Sequence, residues 1–147
     1  MPLSAAARAR RNRFNGTTLC GRALAGLTGC ARRPGPLGTT IVEHYPLRVP
    51  AATYFVIGDV LFCHGPAARL LSPAMRPVLV HELRHTYQYA RWGPLFWPVY
   101  FASSAWSYLL TGSFGARNVF EVGAGLTDGG YREAPVRPVL RTLISRF

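Results

Sequence analysis

Residues 78–93 read VLVHELRHTYQYARWG and hold two of the four histidines of this 147-residue chain. The two lie four positions apart, with a glutamate directly after the first: His81, Glu82 and His85. Pro77 suits a first helical turn and Gly93-Pro94 suits a stop, so one helix is expected over residues 77–92. Val78, His81, Glu82, His85, Tyr89 and Trp92 follow the spacing of one helical face. Side chains four apart on a helix end about 40° from each other, so two imidazoles can meet one tetrahedral ion. Glu82 is one step further round, off the ion and within reach of a water beside it. Metal and carboxylate together make the set that a zinc hydrolase uses. The alternative is an ordinary half-buried helix whose Glu82 pairs with Arg84 or solvent.

A zinc site needs a third protein ligand. Outside the motif the candidates are His44, His64, Glu43, Asp59, Glu121, Asp128 and Glu133. Glu121 stands out by position, as the single acid between Glu82 and Asp128. An apolar helix after His85 can return the chain and carry a short helix with Glu121 back toward the pair. The alternative reading is a helix cap, with Asn118 and its capping-box partner Glu121 three positions later. His44, presented by an early strand or its turn, is the reserve ligand.

HExxH followed by a distant glutamate resembles the gluzincin class of zinc metallopeptidases, the thermolysin-like zincins. The stretch from about residue 53 to 124 also resembles a group of small bacterial proteins. Their pattern is HExxHxxQ, a Gly-Pro, an apolar helix and an Asn-Pro-Phe-Glu segment. His81, Glu82, His85, Gln88, Gly93, Pro94, Asn118, Phe120 and Glu121 match it in order. Val119 stands where that pattern has proline, and Gly123 where it has a second acid. The resemblance implies Zn2+ on His81, His85 and Glu121, with Glu82 as catalytic general base. It implies orienting roles for Gln88 and Asn118. The fold it implies is α+β with a small zincin-like core. A short antiparallel sheet or hairpin leads to the active-site helix, then a long apolar helix and a short ligand helix.

The rest of the chain is read around that core. All 17 basic residues are arginine against six acids, for a net charge of +11. Residues 1–38 carry seven of the arginines and no acid. They read as a flexible arm ending in RRPGPLG, before a metal-binding domain over 39–147. With most of the excess charge on the arm, and no recognition motif, nucleic-acid binding is not expected. The three cysteines match no zinc or redox spacing and read as free thiols. No continuous apolar stretch marks an export signal, so the expected location is cytoplasmic.

Two strands are expected, near 39–44 and 53–63, pairing antiparallel; the second could align an extended substrate. Residues 92–116 carry no charge at all. A buried helix over 95–110 is expected there, and association with a membrane through 92–116 is the competing expectation. A short helix near Asn118, a turn at TDGGY and a last helix in 134–147 complete the chain. The function expected is that of a minimal zinc metallopeptidase acting on a peptide or protein substrate. The alternative is a small membrane-associated metal-binding protein without turnover.

Overall fold

A computed structural model describes residues 3–50 and 52–138. The chain is α+β and divides into two compact units, Met1–Phe96 and Trp97–Phe147. The first contains helices α1 (Ala5–Phe14) and α2 (Thr17–Leu27), strands β1 (Arg32–Pro34), β2 (Thr40–Val42), β3 (Tyr54–Ile57) and β4 (Val60–Cys63), the short helix α3 (Ala67–Leu70) and the long helix α4 (Arg76–Trp92). Helix α5 (Phe96–Thr111) leads into the second unit, which also holds α6 (Val119–Ala124). The last helix expected in 134–147 falls largely outside the described residues.

The sheet has the order β1-β2-β4-β3. The segment expected as one strand over 53–63 is a hairpin of two, β3 and β4, with Ile57 opposite Val60. Gly58 and Asp59 make its turn, and Gly58 has φ +62. A Cβ on Gly58 would also lie 2.4 Å from the backbone nitrogen of Thr18. Only glycine allows both that conformation and that approach. The pairing expected to be antiparallel between the two sequence segments is instead parallel: β2 aligns Thr40 with Val60 and Val42 with Phe62. The antiparallel partner of β2 is β1, which pairs Arg32 with Val42.

Below the sheet, Ala25, Val42, Tyr45, Val60 and Phe62 form the core cluster. Phe55 and Phe62 stack with centroids 4.6 Å apart, and Tyr45 meets both edge-on at 5.1 and 5.3 Å. Helix α2 reaches this layer through Gly21, where a Cβ would fall 2.6 Å from the carbonyl oxygen of Ile57.

Residues 3–38, in the segment where composition suggests a flexible arm, carry α1, α2 and β1 and are part of this packing. The physical reason is a buried polar knot around Asp59. Arg8 Nε pairs with Asp59 Oδ1 at 2.9 Å, and Arg8 Nη2 donates to the Leu37 carbonyl at 2.8 Å. The Arg8 guanidinium lies 5.3 Å from the centre of the Tyr87 ring. Asn12 Nδ2 donates to Asp59 Oδ1 at 2.8 Å and to the Thr86 carbonyl at 2.9 Å. The Thr18 hydroxyl donates to Asp59 Oδ2 and accepts from the Asp59 backbone N–H. Arg8 and Asn12 are fully buried. A guanidinium with a buried carboxylate, a carbonyl and a ring around it is retained inside, whereas unpaired it would not be.

Asp59→Ala should therefore strand a buried cation and lower the unfolding free energy by about 3–5 kcal/mol. Urea denaturation checks this. A loss below about 1 kcal/mol would mean that Arg8 finds water on its own and that the knot is not what holds α1.

Candidate metal centre

Helix α4 begins with Pro77 in its first turn and ends at Gly93, which has φ +56. Its boundaries agree with those expected from the sequence. His81, Glu82, His85, Thr86 and Tyr89 are all buried, so the face carrying the motif is the face turned inward. His81 Nε2 and His85 Nε2 approach to 3.0 Å, with ring planes at 86°. Two nitrogens bound to one zinc in a tetrahedron lie about 3.4 Å apart, so the pair is close to ligating separation.

The other nitrogen of His85, Nδ1, lies 2.8 Å from Gln88 Oε1. That oxygen can only accept, so an Nδ1–H donated to it leaves Nε2 as the nitrogen turned toward His81. The Phe96 ring packs 6.2 Å from His85 and 4.1 Å from Tyr89. The imidazole is thus wedged between an amide on one side and an aromatic edge on the other. Asn12 and Asn15 reach the same helix from α1, donating to the Thr86 and Tyr89 carbonyls. The backbone directly after His85 is therefore clamped by the Asp59 knot.

Glu121 lies in α6. Asn118 caps this helix by accepting from the Phe120 N–H at 2.9 Å. The capping box considered from the sequence is not formed. The Asn118 N–H donates to the Gly115 carbonyl, and Glu121 turns inward, where Tyr100 donates its hydroxyl to Oε1. Burial raises the Tyr100 hydroxyl above its ordinary range, and the Glu121 charge raises it further, with smaller contributions from Tyr131. Tyr100 therefore stays protonated and holds the carboxylate by its donor. Asn118 Nδ2 donates to Ser104 Oγ at 2.8 Å and to the Tyr100 carbonyl. The cap of α6 and the partner of Glu121 thus hang from the same stretch of α5.

One ligand atom from each of His81, His85 and Glu121 lies within 4.8 Å of the others, and all three residues are buried. This group can bind a metal ion. It is the one group of that kind among the described residues.

Four of the other candidates go elsewhere. Glu43 accepts from the Ala67 N–H at 2.7 Å and pairs with Arg33; that backbone donor first, and the guanidinium next, hold its carboxyl below the ordinary range. Asp59 belongs to the polar knot. His44, the reserve ligand, is exposed, and His64 Nδ1 lies 2.9 Å from the Tyr45 carbonyl. Sequence reasoning missed Tyr100. It sits in an aromatic run with nothing in its spacing to set it apart from Tyr87, Tyr89 and Tyr108.

No family model, curated protein or solved structure matches this chain.

Glu82 is near enough to β4 for its charge to act on Cys63. Burial, then the charges of Glu82 and Glu43, push that thiol from an ordinary 9.0 up to about 12. The folded chain thus keeps Cys63 protonated where the unfolded chain would ionise it. The stabilisation is complete below pH 9 and is lost as pH rises from 9.0 toward about 12. Two readouts follow. At pH 8, maleimide should label exposed Cys20 quickly and Cys63 only in denaturant. The alkaline loss of stability should shrink in Cys63→Ala. Fast native labelling of Cys63 would show that the thiol is not sealed as described.

Proposed function

We propose that the chain is a minimal, gluzincin-like zinc metallopeptidase whose ligands are His81, His85 and Glu121 and whose general base is Glu82. The observation that carries this is the convergence of two imidazole nitrogens and one carboxylate within 4.8 Å in a buried setting. Two nitrogens and one oxygen suit zinc, and three protein ligands leave a coordination position for chemistry. A zinc ion held there supplies Lewis acidity, polarising a carbonyl and acidifying water.

The chain's own groups divide the remaining work. Gln88 keeps His85 in the tautomer that offers Nε2. Tyr100 holds Glu121 by its hydroxyl. Glu82, about 100° round the helix from His81, accepts the proton of the attacking water on its carboxylate and returns it to the leaving amine. β3 lies at an edge of the sheet, which suits an extended peptide added alongside it. The order of hairpin, motif helix and the helix of Glu121 is the one expected of a small zincin-like core and supports the same reading.

Metal analysis of the purified chain should give about one zinc per molecule. His81→Ala and His85→Ala should each lose it, while Glu82→Gln should keep it and lower cleavage of a quenched fluorescent peptide by roughly 10²–10⁴-fold. Tyr100→Phe should weaken metal affinity by about 10–100-fold without unfolding the chain. Full zinc occupancy in His85→Ala would end the site as drawn. Zinc retained by Glu82→Gln with no cleavage by the wild type would leave a metal-binding protein without peptidase turnover.

A further inference from the structure

Helix α5 is built the wrong way round for a core helix. Its polar side chains face inward. Ser104 and Ser107 are buried; Ser107 Oγ donates to the Ser113 carbonyl and accepts from the Arg117 N–H. Ser103 Oγ accepts from the Val119 N–H, and the Thr111 hydroxyl donates to the Ser107 carbonyl. At 100° per residue, Ser103, Ser104, Ser107 and Thr111 fall on one side of the helix. Phe101, Ala105, Trp106, Tyr108 and Leu109 fall on the other side, in an arc of about 160°. Phe101, Trp106 and Leu109 on that arc are 65%, 58% and 58% exposed. Phe114, 61% exposed, stacks on Tyr108 with centroids 4.5 Å apart and extends the apolar surface.

One cation stands at its rim. The Arg137 guanidinium lies 5.7 Å from the Tyr108 ring centre, and the Arg137 N–H donates to the Leu110 carbonyl at 2.8 Å. A Cβ on Gly112 would come within 2.9 Å of its Nη2, so the guanidinium rests against the end of the helix. No acid occurs anywhere in residues 92–116.

We propose that this face of α5 is a docking surface for an anionic lipid bilayer, lying in the interface rather than crossing it. Sixteen residues of helix span about 24 Å, short of a hydrocarbon core of roughly 30 Å. Among the described residues no helix is long and apolar enough to cross a membrane. Phe101 and Leu109 enter the acyl boundary, Trp106 and Tyr108 take the interfacial position that amphipathic rings favour, and Arg137 meets headgroup phosphates. The alternative occupant, a second copy of the chain, would set two such faces together, each with Arg137 at its rim and neither with an acid in residues 92–116 to answer it. An anionic surface is complementary to that charge, and a second copy is not. The proposal does not depend on the metal site.

Flotation with phosphatidylcholine vesicles, with and without phosphatidylglycerol, tests it on the full chain. The wild type should float with the mixed vesicles. Phe101→Ser/Leu109→Ser should cut partitioning by about a hundredfold, and Arg137→Ala by about fivefold. Both variants alter exposed side chains, so circular dichroism and zinc content should match the wild type. That separates loss of docking from loss of fold and from failure of the metal reading. Wild type that stays at the bottom of the gradient would overturn the proposal. So would a double variant that floats equally well, or a self-associated wild type that the double variant returns to monomer without any vesicle binding.

Discussion

One buried carboxylate, Asp59, determines how the first unit is put together. It sits in a two-residue turn between β3 and β4, a place where an acid would normally face water. Here it receives Arg8, Asn12 and Thr18 from two helices. A buried charge that loses its partner costs several kcal/mol, so the helices cannot leave without the turn being exposed or neutralised. The same Asn12 amide that reaches Asp59 also holds the carbonyl of Thr86, the residue after His85. Position is thereby passed from the hairpin turn through α1 to the helix that carries the histidines. Rigidity is what a ligating pair needs, since metal sites tolerate only a few tenths of an ångström of slack.

The histidines and Glu121 are prepared in parallel ways. Each is buried, and each of His85 and Glu121 has a neighbour that decides which atom it offers: Gln88 for the imidazole and Tyr100 for the carboxylate. Such supporting contacts are common to metal sites because the ligand must arrive with the correct tautomer and orientation. A tyrosine whose hydroxyl is kept protonated by burial is suited to that task. It can donate to a carboxylate over the whole working pH range without competing for a proton.

Much of this was legible from residues that act locally. Pro77 and Gly93 bound the motif helix because their backbone preferences act at the position where they stand, and Asn118 caps α6 for the same reason. The i, i+4 spacing of His81 and His85 puts them on one face of any helix that forms. What was not legible depends on partners remote in sequence. Arg8 and Asn12 read as part of a solvated arm, because nothing in their neighbourhood signals the distant Asp59. The stretch 53–63 reads as one strand, because Gly58-Asp59 marks a turn only once α2 is seen pressing on it. Tyr100 reads as one aromatic among many.

The orientation of α5 was expected to be that of a buried helix, since its sequence is uncharged and aromatic. The observed orientation follows from hydrogen-bond accounting. The segment from Ser113 to Val119 turns the chain and opens α6, and its N–H and C=O groups need partners that no regular ladder provides. Ser103 and Ser107 are those partners, and Ser104 accepts from the side-chain amide of Asn118. Turning the serines inward satisfies the backbone that carries Asn118 and therefore Glu121. Turning them inward also rotates Phe101, Trp106 and Leu109 into solvent. The apolar surface and the placement of the carboxylate are thus two results of one helix rotation. An α5 that hid its aromatic face would have to release the serines from the loop, and Glu121 would lose the scaffold that presents it. An exposed apolar face of this kind is tolerated where something of matching chemistry covers it.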